Sequence, residues 1–200
     1  MNLATEELVD LGIVNNALPM GVQAPTFELT DVTTKKVFHS AKALEEGPLV
    51  VVFYRGGWCP YCNLANKALE RHYHEIRAAG AQLVVISPET PDRIEKTAQE
   101  HQLSFPALCD PNLEVARKFG LVFEFSKDLD HLYVNSFKLD LRKINHSERA
   151  ELPLPATYII AQDGHVYHRF VDADYKRREE PAYIVKHVKE LATLKPKKQE

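Results

Sequence analysis

The chain of 200 residues has a formal net charge of −3 at pH 7 and contains only three cysteines. This length suffices for one domain with a sizeable core, and the charge gives no sign of a nucleic-acid partner. No signal peptide and no apolar run of membrane-spanning length is visible, so we expect a cytoplasmic protein without membrane partners, in a compartment that keeps thiols reduced.

The first predicted elements lie ahead of the most apolar part of the chain. A helix is predicted over residues 5–17, and alternating apolar residues predict a strand over 24–29. Residues 37–38 are predicted to pair with that strand across a turn. Ser40 is then predicted to cap a short helix.

A continuous apolar run over residues 49–54 predicts a strand buried on both faces, because it is short and rich in β-branched residues. The next three residues, Arg-Gly-Gly, break the strand and allow a sharp turn. Cys59 follows as the predicted N-cap of a helix, Pro60 as its first residue and Cys62 one turn further on. Free amides and the positive end of the helix dipole favour a thiolate here, so the two cysteines form a candidate reactive dithiol.

Two other interpretations of this Cys-x-x-Cys motif are a zinc half-site and a pair of inert core thiols. A structural zinc site needs a second pair of ligands at close spacing. Cys109 is the one cysteine left, and His72 and His74 flank a tyrosine, so they point to different sides of their helix. A Cys-x-x-Cys motif within a β–α pattern therefore favours redox chemistry, without a metal or another cofactor.

The remaining segments continue the alternation of strands and helices. Strands are predicted over residues 83–87, 105–109, 154–160 and 165–171. Helices are predicted over residues 90–101, 110–120 and 181–194. Repeated β–α units imply a parallel sheet covered by helices on both faces. We divide the chain into an N-terminal extension (1–19), one domain (20–194) with an insertion at about 121–152 that holds one or two short helices, and a tail (195–200).

Four segments have distinctive sequences. They are Ala-Pro-Thr-Phe-Glu-Leu at 24–29, the strand and loop at 50–62, Cys-Asp-Pro through Phe-Gly at 109–120, and Ala-Thr-Tyr-Ile-Ile at 156–160. In this order they resemble the peroxiredoxin-like family (alkyl hydroperoxide reductase/thiol-specific antioxidant) of the thioredoxin-fold superfamily, from about residue 20 to 190. The resemblance implies an α/β fold of the peroxiredoxin type, with a central mixed β-sheet and helices on both faces.

The loop departs from the family pattern. Peroxiredoxins carry Pro-x-x-x-Thr/Ser-x-x-Cys, and matching without gaps puts Arg55 at the Pro, Cys59 at the Thr and Cys62 at the attacking Cys. The chain thus resembles a sub-branch with Cys-x-x-Cys, and Trp58 ahead of it is thioredoxin-like. Pro155 lies in a segment that looks like the cis-proline turn of thioredoxins, where peroxiredoxins usually have an arginine. We expect a cis bond before Pro155 and contact between Pro155 and the sulfurs.

A thiolate that attacks a peroxide needs positive charge nearby. Arg55 is the favoured source, because it lies in the loop itself. Packing gives no evident reason for a long cation there, so its loss should affect the chemistry more than the folding. Arg177 and Arg178 are a second source, but we favour for them a solvated charge run paired with Glu179 and Glu180.

Expectations for three further residues follow. Trp58 and Tyr61 are expected to form a rim over the sulfurs, with core packing as an alternative for Trp58. Cys109, at the end of a strand, is predicted to be a small buried hydrophobe. A resolving role for Cys109 would require it to lie near Cys62.

The resemblance implies a thiol-dependent peroxidase in which Cys59 and Cys62 reduce hydrogen peroxide or organic hydroperoxides and are re-reduced by a thioredoxin- or glutaredoxin-type protein. The intact Cys-x-x-Cys and Pro155 favour instead a dithiol–disulfide oxidoreductase acting on protein disulfides, with Cys59 as the exposed attacker. A third hypothesis, a non-catalytic redox sensor or binding module, has no positive feature in the sequence. The N-terminal helix could support a homodimer, although nothing in the sequence requires one.

Overall fold

A computed structural model of the chain describes residues 8–9, 12–145 and 147–194. Its strands are β1 (Glu28–Asp31), β2 (Val37–His39), β3 (Leu49–Phe53), β4 (Gln82–Ser87), β5 (Ala107–Cys109), β6 (Val122–Glu124), β7 (Glu151–Pro153), β8 (Ala156–Ile160) and β9 (Val166–Val171). Its helices are α1 (Ser40–Glu46), α2 (Pro60–Ala78), α3 (Pro91–Glu100), α4 (Glu114–Lys118), α5 (Lys127–Asn135), α6 (Leu141–Ile144) and α7 (Pro181–Thr193). Two short 3-10 turns lie at Ile13–Asn16 and Pro111–Leu113.

The strand β3 lies inside a seven-stranded sheet with the order β2-β1-β5-β4-β3-β8-β9. It runs parallel to β4 and antiparallel to β8, while β4 runs parallel to β5. The predicted mixed sheet is therefore confirmed. Because parallel strands end at the same edge, the carboxyl ends of β3, β4 and β5 meet on one side of the molecule.

All five residues of β3 are buried, as the continuous apolar run predicts. Leu49, Val51 and Phe53 belong to one core, together with residues of α1, α4 and the inserted segment. Val50 and Val52 belong to a second core, together with residues of α2, α3 and α7. This alternation follows the two-residue period of a strand. Helices thus cover both faces of the sheet, and the expected layer arrangement is confirmed.

The strand predicted over 24–29 begins only at Glu28. Ahead of it, the N–H of Ala24 donates to the carbonyl of Gly164 at 2.9 Å. This part of the chain is therefore held by the turn between β8 and β9 instead of by a neighbouring strand. The predicted pairing with residues 37–38 is confirmed by the antiparallel register of β1 and β2.

Two predicted helix starts differ in the structure. Ser40 is the first residue of α1 and not its cap, because its Oγ accepts the N–H of Phe27 at 2.8 Å. The helix predicted over 110–120 begins at Glu114, since the two residues before it have φ of 56° and 58°. The carboxylate of Asp110 accepts two backbone N–H groups of α4, at 2.9 Å each, and so caps the shortened helix.

The inserted segment forms a small layer of its own. Its two predicted short helices are present as α5 and α6, and they lie between β6 and β7, which pair as a separate antiparallel two-stranded sheet. These two strands were not predicted, because each has three residues and shows no alternation. The insertion contributes apolar side chains to the core that contains Leu49.

Residues 5–7, 10 and 11 of the predicted N-terminal helix and the whole tail lie outside the described residues. Leu8 and Val9 are helical, and residues 13–16 form a 3-10 turn instead of a continued helix. The described helices include none with both the length and the apolarity of a membrane span.

Candidate active site

The turn after β3 places both cysteines at the start of α2. Cys59 is the N-cap and Pro60 the first helical residue, so the predicted helix start is confirmed. Gly56 has φ of 147°, and a Cβ added at Gly57 would lie 2.0 Å from the Oγ1 of Thr97. The turn therefore needs its glycines, since they let the backbone pass directly against α3.

The two sulfurs are buried and differ in protonation. Cys59 and Cys62 are 1% and 0% exposed, and Nη2 of Arg178 donates to Sγ of Cys62 at 3.3 Å. Burial by itself would raise the pKa of Cys62, but a hydrogen bond from Cys59 and the charges of Arg178 and Arg55 lower it to about 5. The same hydrogen bond, followed by burial, raises the pKa of Cys59. The contact with Arg178 and the direction of both shifts therefore favour Cys62 as the thiolate of the pair.

Arg55 is enclosed by aromatic rings. It is 3% exposed, and its guanidinium carbon lies 4.9 Å from the ring centroid of Trp58 and 4.4 Å from that of Tyr175. One guanidinium nitrogen donates to the hydroxyl of Tyr133. The expectation that packing gives no reason for a long cation is therefore wrong, because the side chain fills a cage where cation–π contacts stabilise it.

The segment between β9 and α7 brings one of its two arginines to the dithiol. Arg178 contacts Cys62, whereas Arg177 is exposed and pairs with Asp172 at 3.0 Å. Glu179 pairs with a histidine on β9 and not with either arginine. The interpretation as a solvated charge run is thus wrong for Arg178. The physical reason is topological: β9 runs in the same direction as β3, so the two strands end at the same edge.

Pro155 occupies the junction between β7 and β8. The expected cis bond is wrong, since every peptide bond of the described residues is trans. The N–H of Leu154 donates to the carbonyl of Leu121 at 2.8 Å, which extends the pairing of β6 with β7. The extended chain therefore passes from one sheet to the other without the tight turn of a cis proline. Pro155 and Arg55 line a cavity of about 30 Å³ whose walls include neither cysteine.

Tyr61 and Trp58 differ in exposure and in their aromatic partners. Tyr61 is 39% exposed and makes an edge contact with Tyr175, with 5.7 Å between ring centroids. Trp58 is half-buried, makes an edge contact with Tyr133 at 5.9 Å and packs against both cores. Tyr61 thus has the position of a rim residue, and Trp58 combines that position with core packing.

The sequence analysis missed a buried carboxyl group beneath the turn. Glu89 is 1% exposed, and its Oε2 accepts the N–H of Gly57 at 2.7 Å. Burial raises the pKa of Glu89 to about 7, partly offset by this hydrogen bond. Its position two residues after β4 was a usable signal, because β4 ends at the same edge as β3. Tyr133, from the inserted segment, had no comparable signal.

Cys109 is buried, as predicted, and its Sγ donates to the carbonyl of Glu89 at 3.3 Å. Burial raises its pKa to about 11, so it remains a thiol at neutral pH. Within the described residues, the one group of three His, Cys, Asp or Glu side chains with metal-ligand spacing contains no cysteine. The geometry therefore gives no support to a zinc half-site at Cys59 and Cys62.

Comparison with known proteins agrees with this arrangement. A model of the AhpC/TSA family matches residues 20–169. Peroxiredoxin Bcp of Escherichia coli (strain K12) is 29% identical over 135 residues, which cover 66% of this chain and 85% of that protein.

Two solved structures share the fold at lower identity. Peroxidoxin BcpB from Mycobacterium tuberculosis aligns with a TM-score of 0.67 and 21% identity, over 90% of this chain and 99% of that one. A candidate protein disulfide isomerase from Bacteroides thetaiotaomicron aligns with a TM-score of 0.60 and 15% identity, over 87% of this chain and 90% of that one. At these identities the two structures show the shared fold alone.

Proposed function

Because this chain belongs to the AhpC/TSA family of thiol peroxidases, we propose that it reduces hydroperoxides with Cys62 as the attacking thiolate and Cys59 as the resolving thiol. The observation that carries this assignment is the contact of Arg178, whose Nη2 donates to Sγ of Cys62 at 3.3 Å. The pKa of Cys62 is lowered to about 5, whereas that of Cys59 is raised. A thiolate, and not a thiol, is the nucleophile.

In the first step, the Cys62 thiolate attacks one oxygen of the hydroperoxide and the O–O bond breaks. Cys62 becomes a sulfenic acid, and the other oxygen leaves as an alcohol or water after it takes up a proton. Arg178 contacts the sulfur directly, and Arg55 adds positive charge from the aromatic cage. Both favour the anionic reactant and the negative charge that develops on the leaving oxygen.

In the second step, Cys59 attacks the sulfenic sulfur, a disulfide forms and water leaves. The pKa of Cys59 is raised mainly by its hydrogen bond to the Cys62 thiolate, so Cys59 keeps its proton. Oxidation of Cys62 removes that negative charge, so the pKa of Cys59 falls and the resolving thiolate becomes available. A dithiol protein of the thioredoxin type then reduces the disulfide by exchange.

The rim of the site has to open for this chemistry, because both sulfurs are buried. Tyr61 and Tyr175 touch each other at the surface next to the segment that carries Arg178. We assign the entry of the peroxide to this rim.

The second candidate function is exchange with protein disulfides. It is favoured by the positions of Cys59 and Cys62 at the N-cap and in the first turn of α2, and it assigns the attack to Cys59. The contact of Arg178 with Cys62 and the raised pKa of Cys59 count against it. We therefore rank it below peroxide reduction.

A stopped-flow experiment with the reduced protein separates the two functions. The peroxidase assignment predicts fast oxidation by hydrogen peroxide, loss of the reaction in Cys62→Ser, and a trapped sulfenic acid after one turnover in Cys59→Ser. Cys109→Ser is the matched control and should leave the reaction unchanged. Slow reaction with peroxide, together with fast reduction of a model protein disulfide that Cys59→Ser abolishes, would overturn the assignment in favour of disulfide exchange.

A further inference from the structure

A cluster of three metal-ligating side chains lies outside the dithiol site. His168 comes from β9, His187 from α7, and Glu179 from the segment that joins them. Their ligand atoms all lie within 4.8 Å of one another. The side chains of His168, Glu179 and His187 are 21%, 7% and 25% exposed, so the cluster is sheltered yet reachable from solvent.

The cluster combines two stacked imidazole rings with one carboxylate. The rings of His168 and His187 are stacked with 3.9 Å between their centroids and 23° between their planes. Two protonated imidazoles at this separation would repel each other strongly. Across the described part of the chain, His168 is the only basic side chain within ion-pair distance of the Glu179 carboxylate. A divalent cation would satisfy the carboxylate and use the lone pairs of two neutral imidazoles.

The hydrogen bond between His187 and Glu190 leaves the other ring nitrogen of His187 available as a metal ligand. Its Nδ1 lies 3.2 Å from Oε2 of Glu190 on the same helix, so the ring donates there and keeps the lone pair of Nε2 free. A carboxylate behind the histidine is the usual arrangement around a bound metal, because it fixes the tautomer and makes the ligand more basic. Zn–N bonds of about 2.0–2.1 Å would draw the three side chains together by about an ångström, which rotation of the half-buried rings allows.

We propose that His168, Glu179 and His187 bind a divalent transition-metal ion of the Zn²⁺ type, at a site separate from the two cysteines. Two imidazoles and one carboxylate leave a coordination position for water, as in open zinc sites. The bound ion would link β9, α7 and the connecting segment that carries Arg178. Metal binding here goes beyond the proposed peroxidase activity and does not depend on it.

The test is a calorimetric titration of the tag-free protein with zinc chloride. The Cys59→Ser/Cys62→Ser variant is used as the background, because thiolates are themselves good zinc ligands. We expect one site per chain, and His168→Ala, Glu179→Gln and His187→Ala should each weaken binding by at least about tenfold. Zinc should also raise the melting temperature of the background protein, since it binds only the folded state.

His72→Ala is the matched control. His72 pairs with Glu75 at 2.9 Å in the same i,i+3 arrangement on a helix as His187 with Glu190, but it belongs to no such cluster in the described structure. It should leave the affinity unchanged. Absence of one-site binding, or equal affinity in the three ligand variants and the background, would show that His168 and Glu179 form a plain ion pair. Should an alanine variant fail to fold, Glu179→Gln keeps the shape of the side chain and decides the question alone.

Discussion

The charge state of Cys62 is set by residues of its own turn and by the segment after β9. Cys59 donates a hydrogen bond, Arg178 contacts the sulfur from the segment after β9, and Arg55 acts from its aromatic cage. The two arginines differ in how much they contribute to packing. Arg55 is 3% exposed and packs against three rings, so Arg55→Met would alter folding and charge together. Arg178 is the cleaner probe of the charge.

Replacement of Arg178 by Met should raise the pKa of Cys62 by up to about one unit, because a nearby positive charge favours the thiolate. Peroxide reduction should then slow more at pH 6 than at pH 8, where the thiolate still forms. Ultraviolet absorbance of the thiolate against pH measures the shift. Arg177→Met, which removes a neighbouring charge paired with Asp172, is the control and should titrate as the wild type does. Equal shifts in both variants would mean that Arg178 acts only through the general charge of the segment.

The start of α2 gives the dithiol its geometry. Cys59 has extended backbone at the N-cap, and the carbonyl of Cys59 accepts the N–H of Asn63 at 3.1 Å. Pro60 removes one N–H that the helix could not have paired. Cys59 at the N-cap and Cys62 in the first turn are held close together by the helix before any oxidation.

Oxidation should therefore join Cys59 and Cys62 without unwinding α2. We expect hydrogen exchange of the first turns of α2 to remain as slow in the oxidised as in the reduced protein. Mass spectrometry should locate the disulfide within the single tryptic peptide 56–67. A disulfide that involves Cys109, or loss of protection at the start of α2 on oxidation, is the result that contradicts this expectation. Cys109→Ser provides the control, because it should form the same disulfide.

At the scale of the whole molecule, a buried carboxyl group beneath the site couples stability to pH. The pKa of Glu89 rises from 4.5 to about 7 in the folded protein. The folded state therefore holds more protons than the unfolded state between these values, and its stability falls as pH rises through this window. The contribution of Cys62 to folding stability changes with pH in the opposite direction, because its pKa falls from 9.0 to about 5 on folding. Its contribution is present at high pH and is lost as pH decreases through about 5.

Replacement of Glu89 by Gln, in the Cys59→Ser/Cys62→Ser background, should remove the fall in stability between about pH 4.5 and 7. Above pH 7 the variant should be more stable than its background by about 1–3 kcal/mol, since it no longer buries a carboxylate. Urea unfolding at several pH values measures the difference. Glu100→Gln on the surface of α3 is the control and should leave the pH profile unchanged. A parallel pH profile for Glu89→Gln and its background would refute the assigned pKa.

Local spacing determined the strand, the turn and the helix that carry the dithiol. The apolar run of β3 has to be buried on both faces, and Pro60 after Cys59 fits only a helix start, so neighbouring residues sufficed to predict this unit. Segments that resemble the AhpC/TSA pattern extended the prediction to the mixed sheet. Short strands such as β6 and β7 were not predicted, because three residues are too few to show a periodic pattern.

Tertiary structure alone decided that Arg178 reaches the sulfur. Arg178 is 116 positions from Cys62, and in the sequence it is part of a run of charged residues that is indistinguishable from solvated surface. The trans bond before Pro155 also depends on tertiary structure, because the inserted segment pairs with the chain at this point. The aromatic cage of Arg55 depends on it too, because one of its rings comes from α5. A side chain's partners depend on which strand ends share an edge of the sheet. That is a property of the assembled topology, and local sequence spacing does not contain it.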